Sequence, residues 1–180
     1  MIKIRNRAGE IVIYTGLTEE KTAELAATIK QCLASQPTVL MAIVGNKGVG
    51  KSLLGKYFRN RGIGPFHRRK IAVIDDDNMA VDTLYFFRRW CPIPCTGVDE
   101  LAPFMKYCRK KQIRIYIKSD PESRISRADI VLQVSTPETT REQRLINRYD
   151  PEKGPRVFND TRDYPSQINI AYDHLITAGI

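Results

Sequence analysis

Gly45-Asn46-Lys47-Gly48-Val49-Gly50-Lys51-Ser52 fits the pattern G-x-x-x-x-G-K-[ST] at every position, and few eight-residue strings restrict a fold so tightly. Small residues let the backbone wrap an anion. The junction must also lead from a strand into a helix, so that successive amides and the positive helix end converge on one point. Both flanks comply: Val39–Val44 reads as a buried strand, and Leu53-Leu54-Gly55-Lys56-Tyr57-Phe58 reads as a helix. In such a loop Lys51 reaches the β- and γ-phosphates and the Ser52 hydroxyl ligates Mg²⁺. The segment therefore predicts a nucleoside triphosphate ligand, with ATP and Mg²⁺ as the expected pair.

The rest of the chain supports a layered α/β fold. Short apolar runs at 39–44, 71–74, 113–117, 130–134 and, more weakly, 174–177 alternate with helical candidates near 50–61, 79–90, 99–112, 136–148 and 165–173. Strand and helix in alternation, with runs rich in Val and Ile, predict a mainly parallel five-stranded sheet with helices on both faces. At 180 residues the chain has room for one domain. Residues 1–37 read as an extension to the domain at 38–180. Ile2 and Ile4, a turn at Asn6–Gly9, and Ile11–Tyr14 make a hairpin. A helix capped by Thr18 then ends before Pro37. The stretch 149–165 is rich in Pro, Gly and charge and reads as loop.

Other classes are disfavoured. No apolar run approaches the roughly 20 residues of a membrane span. The alternating start Met1-Ile2-Lys3-Ile4-Arg5 lacks a signal peptide's apolar block, so a cytoplasmic location is expected. Cys91 and Cys95 form one loose C-x-x-x-C, and Cys32 and Cys108 sit in helical patterns; reduced structural thiols fit this better than zinc.

Two further segments carry candidate chemistry. Strand 71–74 runs into Asp75-Asp76-Asp77-Asn78, where open α/β sheets bind their ligands. Adjacent acids repel, so they call for a cation or hydroxyl, or else form a solvated turn that caps the next helix. Asp120, ending the third strand, is a further candidate Mg²⁺ ligand beside Ser52 and Asp75, or a plain turn residue. After strand 130–134, Thr136 reads as an N-cap and Pro137 as the first helical residue. Arg141, Arg144 and Arg148 follow at i, i+3 and i+7 on one face. Guanidinium groups so placed suit a γ-phosphoryl group in transfer, or else make a solvated face paired to Glu138 and Glu142.

The phosphate loop followed by Ile74-Asp75-Asp76-Asp77-Asn78-Met79, and Ile130–Pro137 followed by R-L-x-x-R at 144–148, resemble the small P-loop metabolite and nucleoside kinases, with adenylylsulfate, gluconate and shikimate kinases the nearest in pattern. The resemblance implies a three-layer α/β/α P-loop NTPase fold with strand order 2-3-1-4-5 and a lid at about 141–165. It implies that Asp75 and Asp77 orient or deprotonate an acceptor hydroxyl, and that Arg144 and Arg148 close over the transferring group. Asp76 stands where these relatives usually carry a small residue.

The expected activity is thus transfer of the γ-phosphoryl of ATP to a hydroxyl of a small acceptor, anionic or nucleoside-like. Charge supplies an alternative. The net charge is +9; residues 51–70 hold seven Lys or Arg and residues 106–118 six, neither with an acid. This would suit a nucleic-acid 5′-end kinase or a nucleic-acid-binding NTPase. A GTPase-type switch is the weaker alternative: no D-x-x-G follows the loop, and Asn147-Arg148-Tyr149-Asp150 trails a helix instead of a strand.

Overall fold

The structure is a computed structural model that describes residues 2–5, 11–14, 16–76, 80–84, 87–90, 97–149, 152–162 and 168–180, with backbone alone at 2, 4–5, 11–13, 80–84 and 87–90. Strands β1 (Ile2–Arg5) and β2 (Ile11–Tyr14) pair antiparallel as the expected hairpin. Helix α1 (Glu19–Ser35) follows. The Thr18 hydroxyl accepts from the Lys21 amide at 3.2 Å, and Glu19 and Glu20 occupy the positive end. Leu25, Ala26, Ile29 and Cys32 form its buried stripe.

Strands β3 (Val39–Val44), β4 (Ile71–Asp75), β5 (Ala80–Leu84), β6 (Phe87–Trp90), β7 (Ile113–Ile117), β8 (Arg127–Ser135) and β9 (Ala171–Gly179) make one sheet in the order β6-β5-β4-β7-β3-β8-β9. The five strands β4-β7-β3-β8-β9 are all parallel, in the expected order 2-3-1-4-5. Side chains alternate between two cores. Met41, Ile43, Ile115, Ile117 and Leu132 face α1 and α2 (Lys51–Arg61); Ala42, Val44, Ile74, Tyr116 and Val131 face α3 (Ala102–Cys108). The sheet is therefore covered on both faces, as continuous apolar runs require. Helices α4 (Glu138–Arg148) and α5 (Lys153–Asp160) follow β8 and pack on each other.

Three local expectations fail, each for a physical reason. The helix expected at 79–90 is replaced by β5 and β6, which extend the sheet antiparallel from β4. The β-branched and aromatic Val81, Thr83, Phe87 and Trp90 favour strands, and the edge of β4 offers a ladder to join. The stretch expected as loop at 149–165 contains α5. Pro155 lies in its first turn, where a missing amide costs nothing, and a Cβ on Gly154 would fall 2.7 Å from the Ile146 Cα, so these loop signals serve a helix start and a close packing contact. The helix expected at 165–173 gives way, where described, to bends and to β9.

Cys32 and Cys108 are free and buried. Burial pushes the Cys108 thiol up to about 11, so it stays protonated at neutral pH, in line with a packing role. The expectation for Cys91 and Cys95 lies outside the described residues. Among the described residues no helix is long and apolar enough to cross a membrane.

Helix α1 contributes Leu25 and Ile29, both fully buried, to the same cluster as Met41, Leu54 and Phe58. Leu25→Ala should therefore lower the unfolding free energy of the whole chain by about 2–5 kcal/mol. Urea unfolding followed by circular dichroism should show one transition at a reduced midpoint; an unchanged midpoint would mean that α1 is not part of this core.

Candidate functional site

The loop leaves the carboxyl end of β3 and closes at the first residue of α2. Gly45, Gly48 and Gly50 have φ of +144°, +88° and +107°, a backbone that side-chain-bearing residues rarely adopt. At Gly45 a Cβ would also lie 2.3 Å from the Val134 carbonyl oxygen of β8. The Gly50 carbonyl accepts from the Leu53 and Leu54 amides at 3.0 Å, which starts α2. A helix leaves its first-turn amides without acceptors inside the helix, and its dipole is positive there.

Cations hold the loop by its carbonyls. Lys51, only 5% exposed, donates through Nζ to Gly45 O at 2.8 Å, Asn46 O at 3.3 Å and Ser119 Oγ, just beyond β7, at 2.9 Å. Arg144 Nη1 donates to Val49 O at 2.8 Å, and Arg141 Nη1 to Lys47 O at 3.4 Å.

Two cavities flank the loop. One, of about 380 Å³, is lined by Lys47, Lys51, Ser52, Arg144, Arg148 and Tyr149 together with loop glycines. The other, of about 310 Å³, has the neutral polar groups of Asn46, Ser119, Gln133, Thr136 and Thr177 on its wall, with Glu138 the one ionisable side chain among its described lining residues. The Thr136 hydroxyl does not cap α4 as expected. Pro137 is the N-cap, without a side-chain bond, and Thr136 Oγ1 is buried with no partner among the described residues.

The three arginines of α4 do not share one role. Arg144 and Arg148 line the cationic cavity, while Arg141 is fully buried. Its Nε and Nη2 hold the Glu138 carboxylate at 2.7–3.1 Å, its Nη1 reaches Thr161 Oγ1 at 3.0 Å, and its guanidinium lies 4.3 Å from the Phe158 ring centroid. One side chain thus ties the loop, α4 and α5 together. The bond from Arg141 also holds the Glu138 carboxyl below its ordinary range. The i, i+3, i+7 spacing displayed Arg141; nothing in the sequence marked it as the buried member.

The acids separate in a similar way. Asp75 ends β4, 5% exposed, paired in register with Ile117 of β7. Asp76 points into a charge network that sequence reasoning missed. Its Oδ2 accepts from Tyr116 Oη at 2.9 Å and the fully buried Arg124 Nε at 3.1 Å, with Lys118 Nζ at 3.5 Å; Arg124 Nη1 also meets Asp99 Oδ2 at 2.5 Å. Asp77 lies outside the described residues. Asp120 begins a short 3-10 turn, its carbonyl accepting from Ser123. Neither Asp75 nor Asp120 lines the two cavities, so the structure gathers the loop with Ser52, Arg144 and Arg148 but not these acids. Neither a family model nor a curated protein matches this chain.

The Arg141 clamp is testable. Its carboxylate partner Glu138 is half exposed, so removal of the arginine strands no buried charge. Arg141→Met should cost only about 1–3 kcal/mol, the range for lost hydrogen bonds to a charged group. Limited trypsin digestion should then cut within 138–162 well before the rest of the chain. Unchanged resistance there would show that the clamp does not hold α4 and α5.

Proposed function

We propose that this chain is a P-loop phosphotransferase that moves the γ-phosphoryl group of ATP, with Mg²⁺, to a hydroxyl of a small acceptor. One observation carries the reading: Lys47, Lys51, Arg144 and Arg148 line a single cavity at the loop between β3 and α2. A polyphosphate is the ligand whose charge such a cavity offsets.

Each group has a place in the transfer. The loop amides and Lys51 hold the β- and γ-phosphates, and Arg144 and Arg148 stabilise charge on the γ-phosphoryl oxygens. The bond from γ-phosphorus to the β,γ-bridging oxygen breaks as the acceptor oxygen bonds to phosphorus. The acceptor's proton would pass to Asp75 or Asp77 by the kinase resemblance, through water in the case of Asp75, which lines neither cavity. Ser52 and, through water, Asp75 would hold Mg²⁺, which keeps several waters and takes ligands from phosphates, and the bound ion would offset phosphate charge.

The second cavity supports a choice of acceptor. Ser119 takes a bond from Lys51 and also lines that cavity, so a hydroxyl lodged there lies next to the phosphate end of the site. Its described walls are neutral apart from Glu138, which favours a nucleoside or polyol over an anion.

Isothermal titration with Mg²⁺ and a non-hydrolysable ATP analogue should show binding to the purified chain. With the best acceptor from a panel of neutral and anionic alcohols, Lys51→Met should lower kcat by about 10²–10³-fold, as loss of one transition-state donor does elsewhere. Circular dichroism would confirm that the variant folds. Absence of nucleotide binding by the wild-type chain overturns the proposal.

A further inference from the structure

The two basic segments of the sequence are divided by the fold. Lys51 and Lys118 go to the carboxyl end of the parallel strands, where Lys51 joins the phosphate loop and Lys118 pairs with Asp76. Most of the rest goes to the opposite end. Arg61 and Arg69 to Lys70 precede β4, and Arg109 to Lys111 precede β7. Because Ile71 pairs with Ile113 in register, both turns emerge side by side. The contact is direct: Lys111 Nζ donates to Arg69 O at 2.8 Å. Arg61, Arg69, Lys70, Arg109 and Lys110 are all exposed.

No acid lies in residues 51–70 or 106–118. Among the described side chains, acids at this end of the sheet stand on its other half: Asp129 of β8 accepts from the Leu40 amide at 2.7 Å, and Asp173 of β9 pairs with Arg127. The result is a dense positive surface, separated from the phosphate loop by the length of β4, about 15–20 Å.

We propose that this surface binds the phosphodiester backbone of a nucleic acid, at a site distinct from the nucleotide cavity. The guanidinium groups of Arg61, Arg69 and Arg109 match phosphate oxygens in geometry, and the lysines beside them add point charges. A membrane surface is the competing occupant; among the described residues the large exposed apolar side chains, Val98, Tyr172 and Leu175, lie in neither segment, so those residues give it no apolar anchor there. The inference does not depend on the phosphotransferase reading.

Fluorescence anisotropy with a labelled single-stranded oligonucleotide tests it. Affinity should fall on the order of 300-fold between about 50 and about 200 mM salt if about six phosphates are neutralised. The double variant Arg69→Glu, Lys110→Glu should lose at least about 10-fold in affinity at fixed salt while its thermal midpoint and Mg²⁺-nucleotide binding stay unchanged. Lys153→Glu, Arg156→Glu makes the same change in net charge on α5, which packs on α4 beyond the carboxyl end of β8, and should bind as the wild type does. Equal losses in both pairs would reduce the effect to net charge and overturn the site. So would the absence of salt-dependent binding, or sedimentation with phosphatidylserine vesicles without affinity for the oligonucleotide.

Discussion

The bonds from Lys51 to Gly45 O, Asn46 O and Ser119 Oγ are the constraint on which the site depends. A buried ammonium is costly unless its N–H groups find oxygens, and here two come from the start of the loop and one from the segment after β7. The oxygens converge because β3 lies beside β7 in the observed register and α2 begins one residue after Gly50. Sheet order, loop conformation and helix start are therefore satisfied together by one side chain. Arg141 and Arg144 repeat the device from α4, so the helices after β8 grip the loop by its carbonyls as well.

What was legible in the sequence follows from the range over which each signal acts. At Gly45–Ser52 the glycines, the lysine and the helix start are local signals, and the structure shows positive φ at Gly45, Gly48 and Gly50 and a helix that starts at Lys51. The five parallel strands were legible because strands buried on both faces must be continuously apolar. Signals with two local meanings misled. Gly154 and Pro155 suit a loop or the start of a tightly packed helix, and only the presence of Ile146 alongside decides. The stretch 79–90 reads as a helix, yet the side of β4 away from β7 recruits it as strands. Thr136 has the chemistry of a cap, but the chain enters α4 through Pro137 and the hydroxyl is left beside the second cavity.

Long-range charge was the least legible element. Seven cations within 51–70 look like one patch when written in a line. Helix α2 spans the height of the sheet, so the lysine at its start and the arginines at its end serve opposite edges. The same holds for 106–118, where β7 carries Lys118 away from Arg109 and Lys110. A cluster in sequence becomes a surface only when no strand or helix runs through it.

The acidic turn shows how the fold relieves a local conflict. Three consecutive aspartates repel, and the sequence alone suggests that a bound cation must compensate. The structure supplies part of the compensation internally. Asp76 is drawn to Arg124, Lys118 and Tyr116, and Asp99 takes the far side of the same guanidinium, which also lies 5.0 Å from the Phe104 ring centroid. The residue out of place among metabolite kinases is thus explained by packing: its position beside two candidate catalytic acids is set by the buried Arg124, and no ligand is needed to account for it.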